Sequence, residues 1–343
     1  MEATTNKTLD NPVPVRGARR GKRVMRRIAL GFGIVICLIA SLALAGTGYE
    51  AIAAGGDAKA YPPPGQLVDV GGYRLHIQCM GSGSPTVVLD AGLGGSSLDW
   101  NLVQGNLSQT SRVCAYDRAG MGWSDAGPQP RTPDHIAREL YTLLTNAHIE
   151  GPYVLVGHSL GGKNIRMFAL QHPDLVAGMV LVDARSEYVD EHTSPSEATA
   201  FQQGIATQGN LYGVTRHLGL IRLFGAGMWG NSTIPEKIRT EMALLSTTQR
   251  SIDTQTAEAA GRAEDDTKLD AAPSLGNLPL FVLASEQNMT GMPAWPEAQK
   301  RQAALSTNSH LIVAKGSGHY IQLDQPAVVL DAVRQVVVEA RSH

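Results

Sequence analysis

The chain has 343 residues, of which 43% are hydrophobic and 17% charged, and its formal net charge at pH 7 is -2. This length can bury a full core, in one large domain or two small ones. The near-zero net charge gives no reason to expect nucleic acid as a partner.

The first 45 residues have the layout of a membrane-targeting segment. Seven Arg and Lys residues between positions 16 and 27 form a basic cluster without an acidic residue, and an uncharged apolar run at 28–45 follows directly. An apolar helix of this length can span a bilayer core, with its cationic flank in the cytoplasm. We therefore predict a single-pass membrane protein with a basic cytoplasmic segment at 1–27, a transmembrane anchor at 28–45, and its catalytic domain outside the cytoplasm, periplasmic or extracellular.

Two other interpretations of the apolar run stay open. It could belong to a cleaved signal peptide, because Ala43 and Ala45 have the spacing of a cleavage site, or it could be a buried core helix. The long region before the run favours the uncleaved anchor. Residues 46–65 contain Gly and Pro clusters and little apolar content, so we predict a linker there.

Three cysteines bear on the compartment of the protein. Cys37 lies in the apolar run, which leaves Cys79 and Cys114 as a possible disulfide pair in an oxidising compartment. Two unpaired buried thiols in neighbouring strands are the alternative. The sequence leaves both possibilities open.

From residue 66 onward, short apolar runs alternate with helical stretches, which predicts an α/β fold on a mostly parallel sheet. Gly71 and Gly72 separate the first two runs and indicate a hairpin, so an antiparallel pair precedes the parallel part. The predicted strands are 66–70, 73–79, 86–90, 112–116, 153–157, 179–183, 279–284 and 310–314.

A long segment between the sixth and seventh predicted strands has no strand pattern. It includes a helical stretch at 234–245 and several apolar residues that we expect to be exposed: Leu211, Tyr212, Leu220, Leu223, Phe224, Met228 and Trp229. An insertion of this size predicts a helical cap over a site, at about 186–275. A helical layer that only completes the core is the alternative.

Directly after the fifth predicted strand stands Gly157-His158-Ser159-Leu160-Gly161, and a helix-like stretch at 163–171 follows. A serine on a sharp strand-to-helix turn takes a strained backbone conformation, which small neighbouring residues permit. Such a turn exposes the hydroxyl and places the amide of Leu160 and the positive end of the helix beside it. We predict that Ser159 is a nucleophile.

Eight strands in this order, a nucleophile elbow after the fifth, a long insertion after the sixth and a histidine after the eighth resemble the α/β-hydrolase superfamily. The resemblance is to its capped, single-domain, esterase-like branch and covers about residues 66–340. Residues 90–95 lie where the family has its oxyanion loop, although Ala91 replaces the usual histidine. The resemblance implies that the backbone amides of Leu93 and Leu160 form the oxyanion hole.

A second segment, residues 117–124, is similar to the D-x-R-G-x-G-x-S segment of the family. Its first two residues, Asp117 and Arg118, stand at the end of a predicted strand. We expect them to fix a loop through a salt bridge and hydrogen bonds rather than to take part in the chemistry.

A serine hydroxyl needs a base within hydrogen-bond reach and a third group that orients the base. His319, in the loop after the last predicted strand, holds the position that the family uses for the base. For the acid we rank Asp183 first, since it ends the sixth predicted strand 24 residues after Ser159, a spacing similar to the haloalkane dehalogenase branch. Glu286 is the alternative acid.

Most family members place an aspartate just past the seventh strand, near Glu286, but at the usual offset this chain has Asn288. Asparagine can orient an imidazole, yet it cannot stabilise the imidazolium by charge. The sequence therefore leaves the identity of the acid open between Asp183 and Glu286.

A serine in the elbow, instead of an aspartate, removes the covalent-ester chemistry of dehalogenases and epoxide hydrolases. We predict a serine hydrolase that cleaves carboxylic esters of small or medium apolar acyl substrates through an acyl-enzyme. Amide or lactone cleavage, as in an aminopeptidase or acyl-lactonase, is one alternative, and a non-catalytic binding module on the same fold is another. The sequence implies no metal and no cofactor.

Overall fold

The computed structural model describes residues 17–229 and 232–342. The strands in this part of the chain are β1 Gln66–Asp69, β2 Arg74–Met80, β3 Thr86–Asp90, β4 Val113–Tyr116, β5 Tyr153–His158, β6 Val176–Val182, β7 Leu280–Ser285 and β8 Ser309–Ala314. The helices are α1 Gly17–Ala54, α2 Asp57–Ala60, α3 Asn101–Leu107, α4 Pro133–Asn146, α5 Leu160–Gln171, α6 Glu187–Glu191, α7 Pro195–His217, α8 Leu220–Phe224, α9 Glu236–Ser246, α10 Gln249–Gly261, α11 Asp266–Asp270, α12 Glu286–Gly291, α13 Trp295–Ala303, α14 Ile321–Asp324 and α15 Pro326–Ala340.

The strands form one sheet in the order β1-β2-β4-β3-β5-β6-β7-β8. β1 and β2 pair antiparallel, β2 pairs antiparallel with β4, and all later pairs are parallel. The predicted α/β fold and its antiparallel start are thus confirmed, with β6 beginning three residues before the predicted start at 179. Each strand of the central pair β3 and β5 is buried along its whole length, as expected for strands covered on both faces.

Helices cover both faces of the sheet. Apolar residues of α4 and α5 pack on one face, and those of α3 and α15 pack on the other. The start of α4 follows from its sequence, because Thr132 caps the helix by accepting a hydrogen bond from the amide of His135 and Pro133 occupies the first turn. These two layers fix the carboxyl ends of the parallel strands, where the candidate site lies.

Helices α6 to α11 lie between β6 and β7 in the segment predicted as a cap. α7 is the longest of them, and its start at Ser194 has a reciprocal capping box with Glu197. α7 packs on α10, and residues of both helices line the cavity at the candidate nucleophile. The insertion therefore forms a wall of the site.

The apolar N-terminal run lies in α1, which by length and composition could cross a membrane, and its most apolar window is not buried. Arg16, part of the predicted basic cluster, lies outside the described residues. The structure differs from the linker predicted at 46–65, because α1 continues to Ala54 and α2 follows. Residues 49–54 and 57–60 are rich in Ala, the best helix former, and Glu50 and Asp57 form ion pairs with the cap.

Cys79 and Cys114 are directly opposite each other in the antiparallel pair of β2 and β4 and form a disulfide. The open question about these cysteines is thereby answered in favour of the pair. The bond joins the N-terminal hairpin to the parallel part of the sheet.

Candidate active site

Ser159 stands between β5 and α5 with φ 52° and ψ -115°, a conformation that few residues other than glycine adopt. The turn is possible because Gly161 approaches β3 closely: a Cβ added there would lie 2.5 Å from the carbonyl oxygen of Asp90. The strained turn and close glycine are the features predicted for a nucleophile elbow.

His319 and Asp183, which the sequence ranked first as base and acid, are hydrogen-bonded to each other. The Nδ1 of His319 lies 2.7 Å from Oδ2 of Asp183. With Nδ1 donating to this carboxylate, Nε2 carries a lone pair and can accept a proton. Both His319 and Ser159 line the same cavity.

Four further donors hold the Asp183 carboxylate. The Ser285 amide (2.9 Å) and the Trp295 indole (2.8 Å) donate to Oδ1, and the Ser285 hydroxyl (2.8 Å) and the Asn288 amide (2.7 Å) donate to Oδ2. Burial alone would raise the pKa of Asp183, but the bond and charge of His319 and the bonds from Ser285 outweigh it and lower this pKa. Asp183 is therefore ionised at neutral pH.

Glu286, the alternative acid, has a different place. Its carboxylate accepts a hydrogen bond from the amide of Gly316 at 2.9 Å, in the loop that leads to His319. Of the two predicted acids, the structure brings Asp183 to the imidazole of His319 and leaves Glu286 as a support of the loop. Asn288, at the usual offset of the acid, donates to Asp183 instead of replacing it.

His158, next to the nucleophile, also contacts the His319 loop. Its Nε2 lies 2.9 Å from the backbone oxygen of His319, and the two rings lie 4.6 Å apart. Burial, followed by the charge of His319, lowers the pKa of His158 to about 3. A neutral His158 thus donates to this carbonyl and holds the loop without adding a second positive charge.

The predicted oxyanion residues, Leu93 and Leu160, both line the cavity that holds Ser159. Gly92 allows the oxyanion loop to approach the elbow, because a Cβ added there would lie 3.3 Å from Cβ of Ser159 and 2.7 Å from Nδ1 of His158. The Leu160 amide is also the first of α5, at the positive end of the helix dipole.

Arg118 fixes the predicted oxyanion loop, residues 90–95, through hydrogen bonds to its backbone. Its guanidinium donates to the carbonyl oxygens of Ala91 and Gly92, both at 2.7 Å, and to the carboxylate of Asp90. On its other side it forms a bidentate ion pair with Glu258 of α10, at 2.8 and 2.9 Å. Burial alone would lower the pKa of Arg118, but the charges of Glu258 and Asp90 raise it, so the residue stays charged.

Asp117 fixes the neighbouring loop. Its carboxylate accepts from the amides of Ser97 (2.6 Å) and Trp123 (3.0 Å) and pairs with Nδ1 of His76 (2.9 Å). This geometry agrees with the loop-fixing part expected for Asp117 and Arg118. The Arg118–Glu258 link to the cap was missed, since no local pattern relates residues 140 positions apart.

The cavity at Ser159 has a volume of about 440 Å³. Apolar residues of the cap and of the rest of the domain line it, together with the guanidinium groups of Arg185 and Arg262. Both guanidinium groups donate hydrogen bonds to the carboxylate of Asp190. A second cavity of about 590 Å³ adjoins it, and the two share five residues: Leu93, Gln208, Gln255, His319 and Tyr320. Tyr212, Met228 and Trp229 of the cap line the larger cavity.

Asp99 lies in the wall of the larger cavity. Its burial raises the pKa of the carboxyl to about 7 against the opposing charge of Arg118. Within residues 17–229 and 232–342, no group of three or more His, Cys, Asp or Glu side chains is placed to hold a metal ion.

A sequence model of the alpha/beta hydrolase family matches residues 87–332, and the chain belongs to this family. An uncharacterized protein of Schizosaccharomyces pombe is 28% identical over 295 residues, which cover 76% of this chain and 53% of that protein. The chain thus spans about half the length of this curated relative.

Two solved structures illustrate the range of enzymes with this fold. An esterase from Thermogutta terrifontis, with malate bound, is 22% identical with a TM-score of 0.61, over 80% of this chain and 98% of that one. The epoxide hydrolase CorEH is 23% identical with a TM-score of 0.58, over 80% and 98%. At these identities the similarity establishes the fold, and the chemistry has to come from the site.

Proposed function

We propose that this protein is a serine hydrolase that cleaves carboxylic esters through an acyl-enzyme. The observation that carries the proposal is the Asp183–His319 hydrogen bond of 2.7 Å, in the same cavity as a serine on a strained strand-to-helix turn. This arrangement would supply a base, an acid that orients it and a half-buried nucleophile, the three parts that acyl transfer needs.

In the proposed reaction the Oγ of Ser159 attacks the ester carbonyl carbon while Nε2 of His319 takes the hydroxyl proton. The amides of Leu93 and Leu160 donate to the oxyanion of the tetrahedral intermediate. His319 returns the proton to the leaving alcohol as the C–O bond breaks, and the acyl group stays on Ser159. Water, deprotonated by His319, then attacks the acyl-enzyme and releases the acid.

The walls of the site favour a small or medium apolar acyl group. Phe201, Ile205 and Met292 contribute apolar surface to the 440 Å³ cavity beside Ser159. A cavity of this size matches the usual volume of small-molecule sites. Epoxide opening through a covalent ester, in contrast, calls for a carboxylate at the elbow, and this chain has a serine there.

We further propose that α1 anchors the protein in a membrane, with the hydrolase domain outside the cytoplasm. The apolar, unburied window of α1 and the preceding Arg and Lys residues support this orientation. The Cys79–Cys114 disulfide supports an oxidising compartment for the domain.

Labelling with a fluorophosphonate probe tests the nucleophile. The full chain in detergent should be labelled on Ser159 alone, as read by peptide mass, and the Ser159→Ala variant should not be labelled. The labelled protein should also have lost its activity on 4-nitrophenyl esters. Label on another residue, or none on folded protein, would contradict the proposal.

A further inference from the structure

The cap carries exposed apolar residues close to the end of α1. Leu223, Phe224 and Met228 are each more than 60% exposed, and Leu220 is 38% exposed. These four residues, here called the cap face, lie within nine consecutive positions. Soluble monomers seldom expose contiguous apolar surface of this kind unless it binds something.

The cap face lies beside the segment of α1 that follows the apolar run. A Cβ added to Gly46 would collide with the carbonyl oxygen of Leu218, and one added to Gly219 would lie 3.2 Å from the ring of Tyr49. Arg222 forms ion pairs with Glu50 and Asp57, with Nε 2.6 Å from Oε2 of Glu50. The cap is thus bound to α1 by close backbone contact and by buried charge.

These contacts determine how far the cap face lies from the bilayer. If the apolar run at 28–45 spans the hydrocarbon core, Glu50 lies five residues beyond its outer end. At 1.5 Å per residue this is roughly 8 Å, within the polar headgroup layer. Leu223 and Phe224 directly follow Arg222, which binds Glu50, so we expect them near the same level.

We propose that the cap face lies in the outer interface of the membrane that α1 spans and inserts its apolar side chains among the lipids. The partner is the bilayer itself, as for other amphipathic surfaces with aromatic and aliphatic residues at this depth. The inference rests on the proposed anchoring of α1.

An interfacial cap gives the candidate site a direct route from the membrane. Met228 belongs to the cap face and also lines the 590 Å³ cavity, together with Trp229 and Tyr212. That cavity adjoins the one at Ser159 through His319 and Tyr320. The substrates that this path suits are esters that partition into the bilayer and reach the nucleophile without crossing water.

The position of the cap face can be measured with an environment-sensitive label. The full chain, with Cys37→Ser as background, receives a single NBD fluorophore at Phe224→Cys or, as the matched control, at Val338→Cys of α15, a body residue of equal exposure. After reconstitution into phosphatidylcholine vesicles, the label at 224 should emit at shorter wavelength and be quenched by nitroxide lipids. The label at 338 should keep its emission in water and escape the quencher.

The other outcomes overturn the inference in distinguishable ways. Equal, water-like signals at both positions in protein that floats with the vesicles refute the interfacial cap and leave the anchor intact. Protein that does not float refutes the anchor and this inference together, while fluorophosphonate labelling of Ser159 still reports on the hydrolase. A blue shift at 224 that escapes the lipid quencher and disappears on dilution in the vesicles identifies a second copy of the chain as the occupant.

The route is tested with a Leu223→Ser, Phe224→Ser double variant in vesicles. Its kcat/KM on an ester of a short acyl group and a long-chain alcohol, which partitions into the bilayer, should fall about fivefold or more relative to Val338→Ser, while the value on a short water-soluble ester stays the same. Unchanged activity on the bilayer ester would refute the route, and so would an equal loss on both esters.

Discussion

Five donors converge on the carboxylate of Asp183, one of them the imidazole of His319. A carboxylate with this many partners is ionised and fixed, so in the proposed reaction it would hold Nδ1 of His319 and stabilise the imidazolium. Asn288 has no negative charge of its own, but its side-chain amide donates a hydrogen bond to the charged carboxylate of Asp183.

Replacing Asp183 by Asn should lower kcat by roughly 10³- to 10⁴-fold with the fold retained, because the base loses its charged partner and its correct tautomer. The matched control is Glu286→Gln, which should keep kcat within about threefold, since Glu286 contacts only the loop backbone. Steady-state hydrolysis of a 4-nitrophenyl ester measures both. A larger loss for Glu286→Gln than for Asp183→Asn would reverse the assignment.

The buried carboxyl of Asp99 should make the free energy of unfolding depend on pH. Its pKa of about 7 in the folded protein lies above the value of an unfolded aspartate, so folding disfavours the charged form. Ionisation of Asp99 therefore lowers the stability of the folded protein as pH rises from about 4 to 7, by up to about 4 kcal/mol.

The Asp99→Asn variant should be the more stable of the two above pH 7, and this difference should disappear near pH 4. Chemical unfolding in detergent at a series of pH values measures it. Asp331→Asn, at an exposed carboxylate, serves as control. A difference between Asp99→Asn and the unmodified protein that does not vary with pH would contradict the proposed cause.

At the scale of elements, the buried Arg118–Glu258 pair joins cap helix α10 to the oxyanion loop. Arg118 holds two carbonyl groups of that loop, so the position of the loop depends on a residue of the cap. Neutralising Glu258 would leave the buried charge of Arg118 with Asp90 as its remaining ion-pair partner among the described residues, so part of its compensation would be lost.

Glu258→Gln should therefore destabilise the protein by roughly 1 to 3 kcal/mol and lower kcat about tenfold, with KM little changed, because the oxyanion amide loses its support. The exposed Asp253→Asn on the same helix is the control. Affinity for a boronic acid transition-state analogue should fall in parallel with kcat. If Glu258→Gln lowers stability but leaves kcat and the affinity for the analogue unchanged, the Arg118–Glu258 pair has only a structural role.

The sequence predicted elements whose signals are local. The strands were predictable because apolar runs are bounded by Gly and polar turns. Ser159 and Asp183 were proposed because each stands at the end of a strand, and His319 because it lies in the loop after the last strand. The contacts of Trp295 with Asp183 and of Glu258 with Arg118 depend on how distant segments pack, and no spacing encodes them. The extension of α1 to Ala54 was missed because the Gly55-Gly56 pair led us to predict a linker over the whole segment at 46–65.

At the scale of the whole molecule, the two ends of the N-terminal region are bound to different parts of the hydrolase domain. The segment after the apolar run is bound to the cap through Glu50 and Asp57, and the first hairpin is bound to β4 through the Cys79–Cys114 disulfide. If α1 anchors the protein in a membrane as proposed, the attachment of its outer end to the cap would leave the domain little freedom to turn relative to the bilayer.

The disulfide allows the orientation of the anchor to be tested in the cell. Protein alkylated with a maleimide polymer in denaturant, without reductant, should show neither Cys79 nor Cys114 modified, because an extracytoplasmic domain is oxidised. After reduction both should react. Closing the 35-residue separation should stabilise the fold by about 2 to 4 kcal/mol, so a Cys79→Ala, Cys114→Ala double variant should unfold at lower denaturant than the Cys37→Ser control. Free thiols at both positions in protein taken directly from cells would place the domain in a reducing compartment and reverse the proposed topology, since the basic flank of α1 would then lie on the other side of the membrane.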